Sequence, residues 1–304
     1  MMPSIGHRGE TAAALGDDPA GTAARMVGRG EPSGWMWPEQ RRDVRALASR
    51  FASGAPFPHV VLEPFLDPAR AEEVARSFPR ADPSWIRFTH INERKFGNPS
   101  VATFPPPLRD LVAELSSPGF VAWLEQVTGI AGLRADPDLC GGGLHQTQRG
   151  GFLNIHTDFS SHPQRSTWRR AVNLVLFLNP DWRDSYGGAL ELWPADMSRC
   201  AVRIPPLLNT CVIFQVGRET RHGHPDPLVC PADRSRNSLA LYYFTEELGP
   251  PTRHATRYYP RPGDGARAAL IRGENLALRV FDLLRRRGWV TDEAMSRVLA
   301  RLQR

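Results

Sequence analysis

No run of about 18 or more apolar residues occurs in the chain, so no segment reads as a membrane-spanning helix. Cysteine is scarce. The four residues Cys140, Cys200, Cys211 and Cys230 form no C-x-x-C pair and match no structural zinc spacing. A chain of 304 residues buries enough surface to fold without disulfides, so all four are read as free thiols in a reducing, cytoplasmic setting. Residues 1–34 lack the apolar stretch that a secretory signal needs. No internal repeat is visible. Basic residues outnumber acidic ones, 38 to 32, for a net charge of +6. That excess is mostly arginine and is spread along the chain, with one tight group at Arg285 to Arg287. Nucleic-acid binding would need a basic face or basic side chains around aromatic platforms, and no such motif appears. The expectation is a solvated basic surface with neither nucleic acid nor membrane as partner.

What is present describes a globular protein. Hydrophobic residues make up 41% and charged residues 23%, near the average for soluble domains. The 26 glycines and 28 prolines predict many turns. Residues 1–34 carry few large apolar groups and read as a flexible tail. Residues 35–249 read as one folded domain, with a β-rich core over about 138–247. Residues 250–304 read as a helical extension packed on the same unit, with Thr291 as a helix cap and an apolar stripe at Met295, Val298, Leu299 and Leu302.

Helices come first. FPHVVLEPFL (57–66) reads as a strand and a turn. Asp67-Pro68 then opens a helix that ends at Phe78-Pro79. Pro105 to Pro107 precede a second helix, with Leu108, Leu111, Val112 and Leu115 on one face. A third carries Phe120, Trp123, Leu124 and Val127, with Gly129 at its end. From Leu144 the pattern changes to short β-branched and aromatic runs: 151–159, 171–179, 188–193, 209–216 and 236–245. Such spacing predicts an α+β chain, mainly β in its core, built as a sandwich or jelly roll.

One of these runs holds His156-Thr157-Asp158. Alternate residues of a strand share a face, so the imidazole and the carboxylate point the same way. Arg221-His222-Gly223-His224 offers a third arm. Two histidines and one carboxylate make the facial triad of non-haem Fe(II) oxygenases, although zinc accepts similar ligands. His222 is favoured because Gly223 beside it permits close backbone approach; His224 stays open as the alternative. Arg236 and Ser238 also share a face, and a guanidinium there could grip a carboxylate through two parallel hydrogen bonds. Arg234, two residues away, is its competitor. His145, Asn154 and Asn173 flank the site in sequence and are candidates for support around it.

The motifs GGGLHQTQRGGFLNIHTDF, RRAVNLVLFLNPDW, YGGALELW, HGHPDPL and RSRNSLALYYFT follow one another in this order. Together they resemble the 2-oxoglutarate/Fe(II) dioxygenase superfamily, in particular its prolyl 4-hydroxylase-like branch. The resemblance runs from about residue 55 to 247 and is sharpest after Asp138. It implies a double-stranded β-helix (jelly roll). It implies His156, Asp158 and His222 as iron ligands, with Arg236 and Ser238 holding 2-oxoglutarate. It implies Fe(II), 2-oxoglutarate and O2 as participants, with ascorbate as a reductant, and hydroxylation of an amino acid, peptidyl residue or natural product with release of succinate and CO2. Relatives that halogenate have a small residue in place of the carboxylate, so Asp158 argues for hydroxylation. Two other readings use the same residues: a cupin-like hydrolase or isomerase holding zinc or manganese, and a metal-free binding module. Whether the substrate is a small molecule or a peptide is open. So is the oligomeric state, with a homodimer the form to test.

Overall fold

The computed structural model describes residues 34–247 and 255–286. Two helices, α1 (Pro38–Arg42) and α2 (Val44–Ala52), precede strand β1 (His59–Leu62). Helix α3 (Pro68–Ser77) starts where the sequence places it. The Asp67 carboxylate accepts the N–H groups of Ala69 and Arg70, and Pro68 fills the first helical position, where no N–H is needed. Helices α4 (Pro106–Leu115) and α5 (Pro118–Thr128) follow, and Gly129, left-handed at φ 69°, closes α5. The faces predicted for these helices are the buried ones. Leu108, Leu111 and Leu115 are fully buried, as are Phe120 and Leu124, and each such side chain contributes about 1.5–3 kcal/mol. Helix α6 (Gly265–Arg286) lies in the stretch expected to be helical. The Thr291 cap, the stripe from Met295 to Leu302 and residues 1–33 of the expected tail lie outside the described residues.

The remaining strands are β2 (Ile86–His90), β3 (Glu93–Asn98), β4 (Arg134–Ala135), β5 (Gly143–Gln148), β6 (Phe152–Thr157) and β7 (Trp168–Phe177). They continue with β8 (Leu190–Trp193), β9 (Val202–Ile204), β10 (Cys211–Gln215), β11 (Arg221–His224), β12 (Ser235–Glu246) and β13 (Arg257–Tyr258). Pairing is antiparallel throughout, in the order β1-β10-β7-β12-β5-β3-β6-β11-β8-β9, with β2 on β3, β4 on β12 and β13 on β6. Strand β3 joins the two halves, because it bonds to β5 through Phe96–Asn98 and to β6 through Glu93 and Arg94. The result is a curled half-barrel of the double-stranded β-helix type, as the sequence predicts.

Alternation along the strands separates two faces. On β7 and β12, Val172, Leu174, Leu176, Leu239, Leu241 and Tyr243 belong to the core that includes α2 to α5. The intervening residues, among them Asn173, Val175, Ser238, Ala240 and Tyr242, line a cavity inside the half-barrel. Burial on both faces gives these strands their near-continuous apolar runs. The sequence reading missed α1, α2, β2, β3, β4, β9 and β13. In the β2–β3 hairpin the cause is composition, because Arg87, Arg94 and Lys95 interrupt any apolar period.

Candidate active site

His156 lies on β6, and Asp158 follows one residue after its end. On the neighbouring strand β11, His222 pairs directly opposite His156. His156 Nε2 stands 3.6 Å from Asp158 Oδ1, and His222 Nε2 stands 3.5 Å from Asp158 Oδ2. The three ligand atoms all fall within 4.8 Å of one another, and all three residues are buried. His222, remote in sequence, therefore meets the adjacent pair His156 and Asp158.

The far side of each imidazole decides whether the site can hold a metal. His156 Nδ1 lies 2.9 Å from the Asn154 carbonyl, and His222 Nδ1 lies 3.4 Å from the Thr220 carbonyl. A carbonyl only accepts, so each Nδ1 carries the proton and donates it. Each Nε2 then keeps its lone pair, aimed at the carboxylate. Burial brings the His222 pKa down to about 3 against the pull of Asp158, so its ring is neutral, the form that ligates. Burial opposes the charge on Asp158, but the Arg170 guanidinium outweighs it and holds the carboxyl well below its usual range. Two lone pairs and an anion at this spacing fit a divalent cation.

His224 is buried in the same cavity, but no equivalent bond orients it; its Nδ1 is buried with no hydrogen-bond partner among the described residues. Gly223 between the two histidines is needed for the reason the sequence suggested. A Cβ there would sit 2.7 Å from the carbonyl oxygens of both Leu153 and Asn154. Backbone atoms cannot swing aside, so Gly223→Ala forces β11 away from β6. The expected cost is about 1–3 kcal/mol of stability, readable as a lower denaturation midpoint.

Two further side chains hold Asp158. Asn173 Nδ2 donates to Asp158 Oδ2 at 2.8 Å, and Arg170 Nε donates to Asn173 Oδ1 at 2.7 Å. Arg170 Nη2 also lies 3.4 Å from Asp158 Oδ2, and its guanidinium stacks over the Tyr242 ring at 3.2 Å. The sequence reading singled out Asn173 but missed Arg170. Simple alternation puts Arg170 on the opposite face from Asn173. A bulge in the β7–β12 pairing, where Val172 faces Tyr243 but Arg170 faces Phe244, turns it inward. Asn154, by contrast, is a satisfied structural residue bonded to Asn92 Oδ1 at 2.9 Å.

Arg236 and Ser238 are buried on β12 and line the cavity, which measures about 170 Å³. Arg236 Nε donates to the Gly188 carbonyl at 2.7 Å. Burial lowers the Arg236 pKa to about 9, and no carboxylate among the described residues offsets this. A desolvated cation without an anion is costly, so this guanidinium is poised for an anionic ligand. Arg234 does not line the cavity; it donates to the Pro180 carbonyl. His145 also faces the cavity, and burial followed by the nearby Lys95 charge brings its pKa down to about 3.

Among the described residues a second group has metal-like spacing: Asp136, Asp138, Cys140 and His162. Its chemistry does not fit a metal. His162 Nδ1 accepts the N–H groups of Gln164 and Arg165 at 3.1 and 3.0 Å. Its proton must therefore sit on Nε2, which donates to Asp136 Oδ1 at 3.1 Å and cannot ligate. The Arg165 guanidinium, bonded to Asp138, supplies the positive charge.

A family model described as the 2OG-Fe(II) oxygenase superfamily matches residues 142–244, which include His156, Asp158, Arg170, Asn173, His222, Arg236 and Ser238. Three solved structures illustrate the likeness. A Pseudomonas putida prolyl-4-hydroxylase is 19% identical over 66% of this chain and 99% of its own, with a TM-score of 0.46. A Trichoplax adhaerens prolyl hydroxylase, solved with a hypoxia inducible factor peptide, is 16% identical over 68% and 90%, with a TM-score of 0.49. HygX from Streptomyces hygroscopicus, solved with nickel, 2-oxoglutarate and hygromycin B, is 13% identical over 72% and 90%, with a TM-score of 0.39. No curated protein matches. No helix among the described residues is long and apolar enough to cross a membrane.

Proposed function

We propose, from the match of residues 142–244 to the 2OG-Fe(II) oxygenase superfamily model, that the chain is such an oxygenase and hydroxylates an unactivated C–H bond. Fe(II) is held by His156, Asp158 and His222, and 2-oxoglutarate by Arg236 with Ser238. The substrate is an amino acid, a peptidyl residue or a natural product. The observation that carries this reading is the pair of Nδ1–H bonds to the Asn154 and Thr220 carbonyls, which leaves both Nε2 lone pairs facing one carboxylate. When bound, Fe(II) with 2-oxoglutarate supplies the oxidising power, and succinate and CO2 are released.

The protein's share is ligation, orientation and exclusion of water. The Asn173–Arg170 relay fixes the Asp158 carboxylate, so its charge is spent on the metal rather than on solvent. Arg236 gives the distal carboxylate of the cosubstrate a cation already stripped of water, which strengthens the contact. Phe214, packed 4.7 Å from the His222 ring, helps keep that side dry. Ascorbate would serve as an external reductant.

The test is anaerobic addition of Fe(II) and then 2-oxoglutarate to purified protein, followed by air. A visible charge-transfer absorption that needs both, then succinate equal to the 2-oxoglutarate consumed, is the expected result. Turnover of a substrate with zinc or manganese and no succinate would instead support the hydrolase or isomerase reading.

A further inference from the structure

The wall beside the triad that neither metal nor cosubstrate uses is built by β3 and β13. Glu93 and Lys95 are i and i+2 on β3, and both line the cavity. Their side chains are 11% and 12% exposed, with Glu93 Oε2 3.3 Å from Lys95 Nζ. Glu93 Oε1 takes hydrogen bonds from His90 Nε2 at 2.8 Å and from the Tyr258 hydroxyl at 3.4 Å. Tyr258 pairs directly opposite His156, and their rings lie 5.8 Å apart. Asn275 on α6 clamps the Tyr258 backbone, donating to its carbonyl at 2.6 Å and accepting its N–H at 3.3 Å. The whole arrangement abuts the triad, and Tyr258 falls outside residues 142–244.

Two facts set this pair apart from packing. A buried ion pair gains little stability over apolar side chains of the same volume. Lys95 is also the single lysine among 38 basic residues, so this position departs from the chain's uniform use of arginine. Lysine offers a compact ammonium with three donors, of which Glu93 engages one, and a carboxylate has about four acceptor sites. Opposite charges side by side on one cavity wall match a ligand that carries an ammonium and a carboxylate on one carbon. A residue inside a peptide has neither group.

We propose that Glu93 and Lys95 form the substrate head-group subsite, and that the substrate is a free amino acid, its ammonium on Glu93 and its carboxylate on Lys95. Tyr258 is a positioning residue that holds Glu93 from behind. The assignment rests on the oxygenase reading above.

The single lysine makes the test direct. Wild-type protein with Fe(II) and 2-oxoglutarate is treated anaerobically with an amine-acylating reagent, and acylation of Lys95 is read by peptide mass spectrometry. The probes are free L-amino acids, their N-acetyl derivatives and their amides. At least one free amino acid should cut acylation by about tenfold or more, the scale of a charged hydrogen bond, while its two blocked forms do not. In parallel, Glu93→Gln should lower the ratio of kcat/KM for that amino acid over its N-acetyl form by a similar factor. Equal protection by blocked forms, protection by 2-oxoglutarate alone, or no protection by any probe overturns the head-group assignment. Wild-type protein that gives no Fe(II)–2-oxoglutarate absorption overturns the oxygenase reading instead.

Discussion

Asp158→Ala abolishes Fe(II)-dependent turnover of 2-oxoglutarate. Losing an outer partner of a metal ligand typically costs 10–100-fold in metal affinity or activity, so losing the ligand itself costs more. The loss is larger here because Asp158 is the only anion in the triad. Removing it leaves two imidazoles beside the buried Arg170 guanidinium, 3.4 Å from where the carboxylate was, and that cation then repels a divalent metal. Asn173→Ala is the graded control. It removes one hydrogen bond to Asp158 and the acceptor for Arg170 Nε, so activity should fall by about 10–100-fold with metal still binding. Anaerobic Fe(II) titration of both variants separates the cases. Tight metal binding by Asp158→Ala would show that the carboxylate is not a ligand.

Arg236→Ala weakens 2-oxoglutarate binding by about 2–5 kcal/mol, the usual cost of truncating one partner of a buried charge pair. That corresponds to a rise in the apparent binding constant of roughly 30-fold to several thousand-fold. Fe(II) binding should change far less, because Arg236 makes no contact with the triad and its Nε bond goes to the Gly188 carbonyl. Ser238→Ala, two residues along the same face, should show a weaker loss of the same kind, since it removes a neutral partner. Equilibrium titration of 2-oxoglutarate at saturating Fe(II) reads both. Normal cosubstrate binding by Arg236→Ala would shift the role to Arg234, despite its bond to the Pro180 carbonyl.

These residues were legible because strand geometry is simple. Period-two alternation puts His156 with Asp158 and Arg236 with Ser238, whatever the rest of the fold does. The caps at Asp67 and Gly129 were legible for the same local reason. The choice of His222 over His224 was only half legible. Gly223 suggested it, but the tautomer depends on the Thr220 carbonyl, whose direction no sequence pattern reveals. Arg170 was hidden by a bulge that breaks the alternation. Glu93 and Lys95 were hidden in a hairpin whose charged residues mask its period. Tyr258 was hidden because a two-residue strand has no period to read, and it reaches the site only through long-range pairing with β6. In each case the missing information was the partner strand, not the residue itself.

The central claim is that one ferrous ion sits among His156, Asp158 and His222. Crystals grown anaerobically with Fe(II), measured above and below the iron absorption edge, test it most directly. A single anomalous peak within bonding distance of both Nε2 atoms and an Asp158 oxygen is the predicted result. A peak at Asp136, Asp138, Cys140 and His162, or none beside the triad, would contradict it.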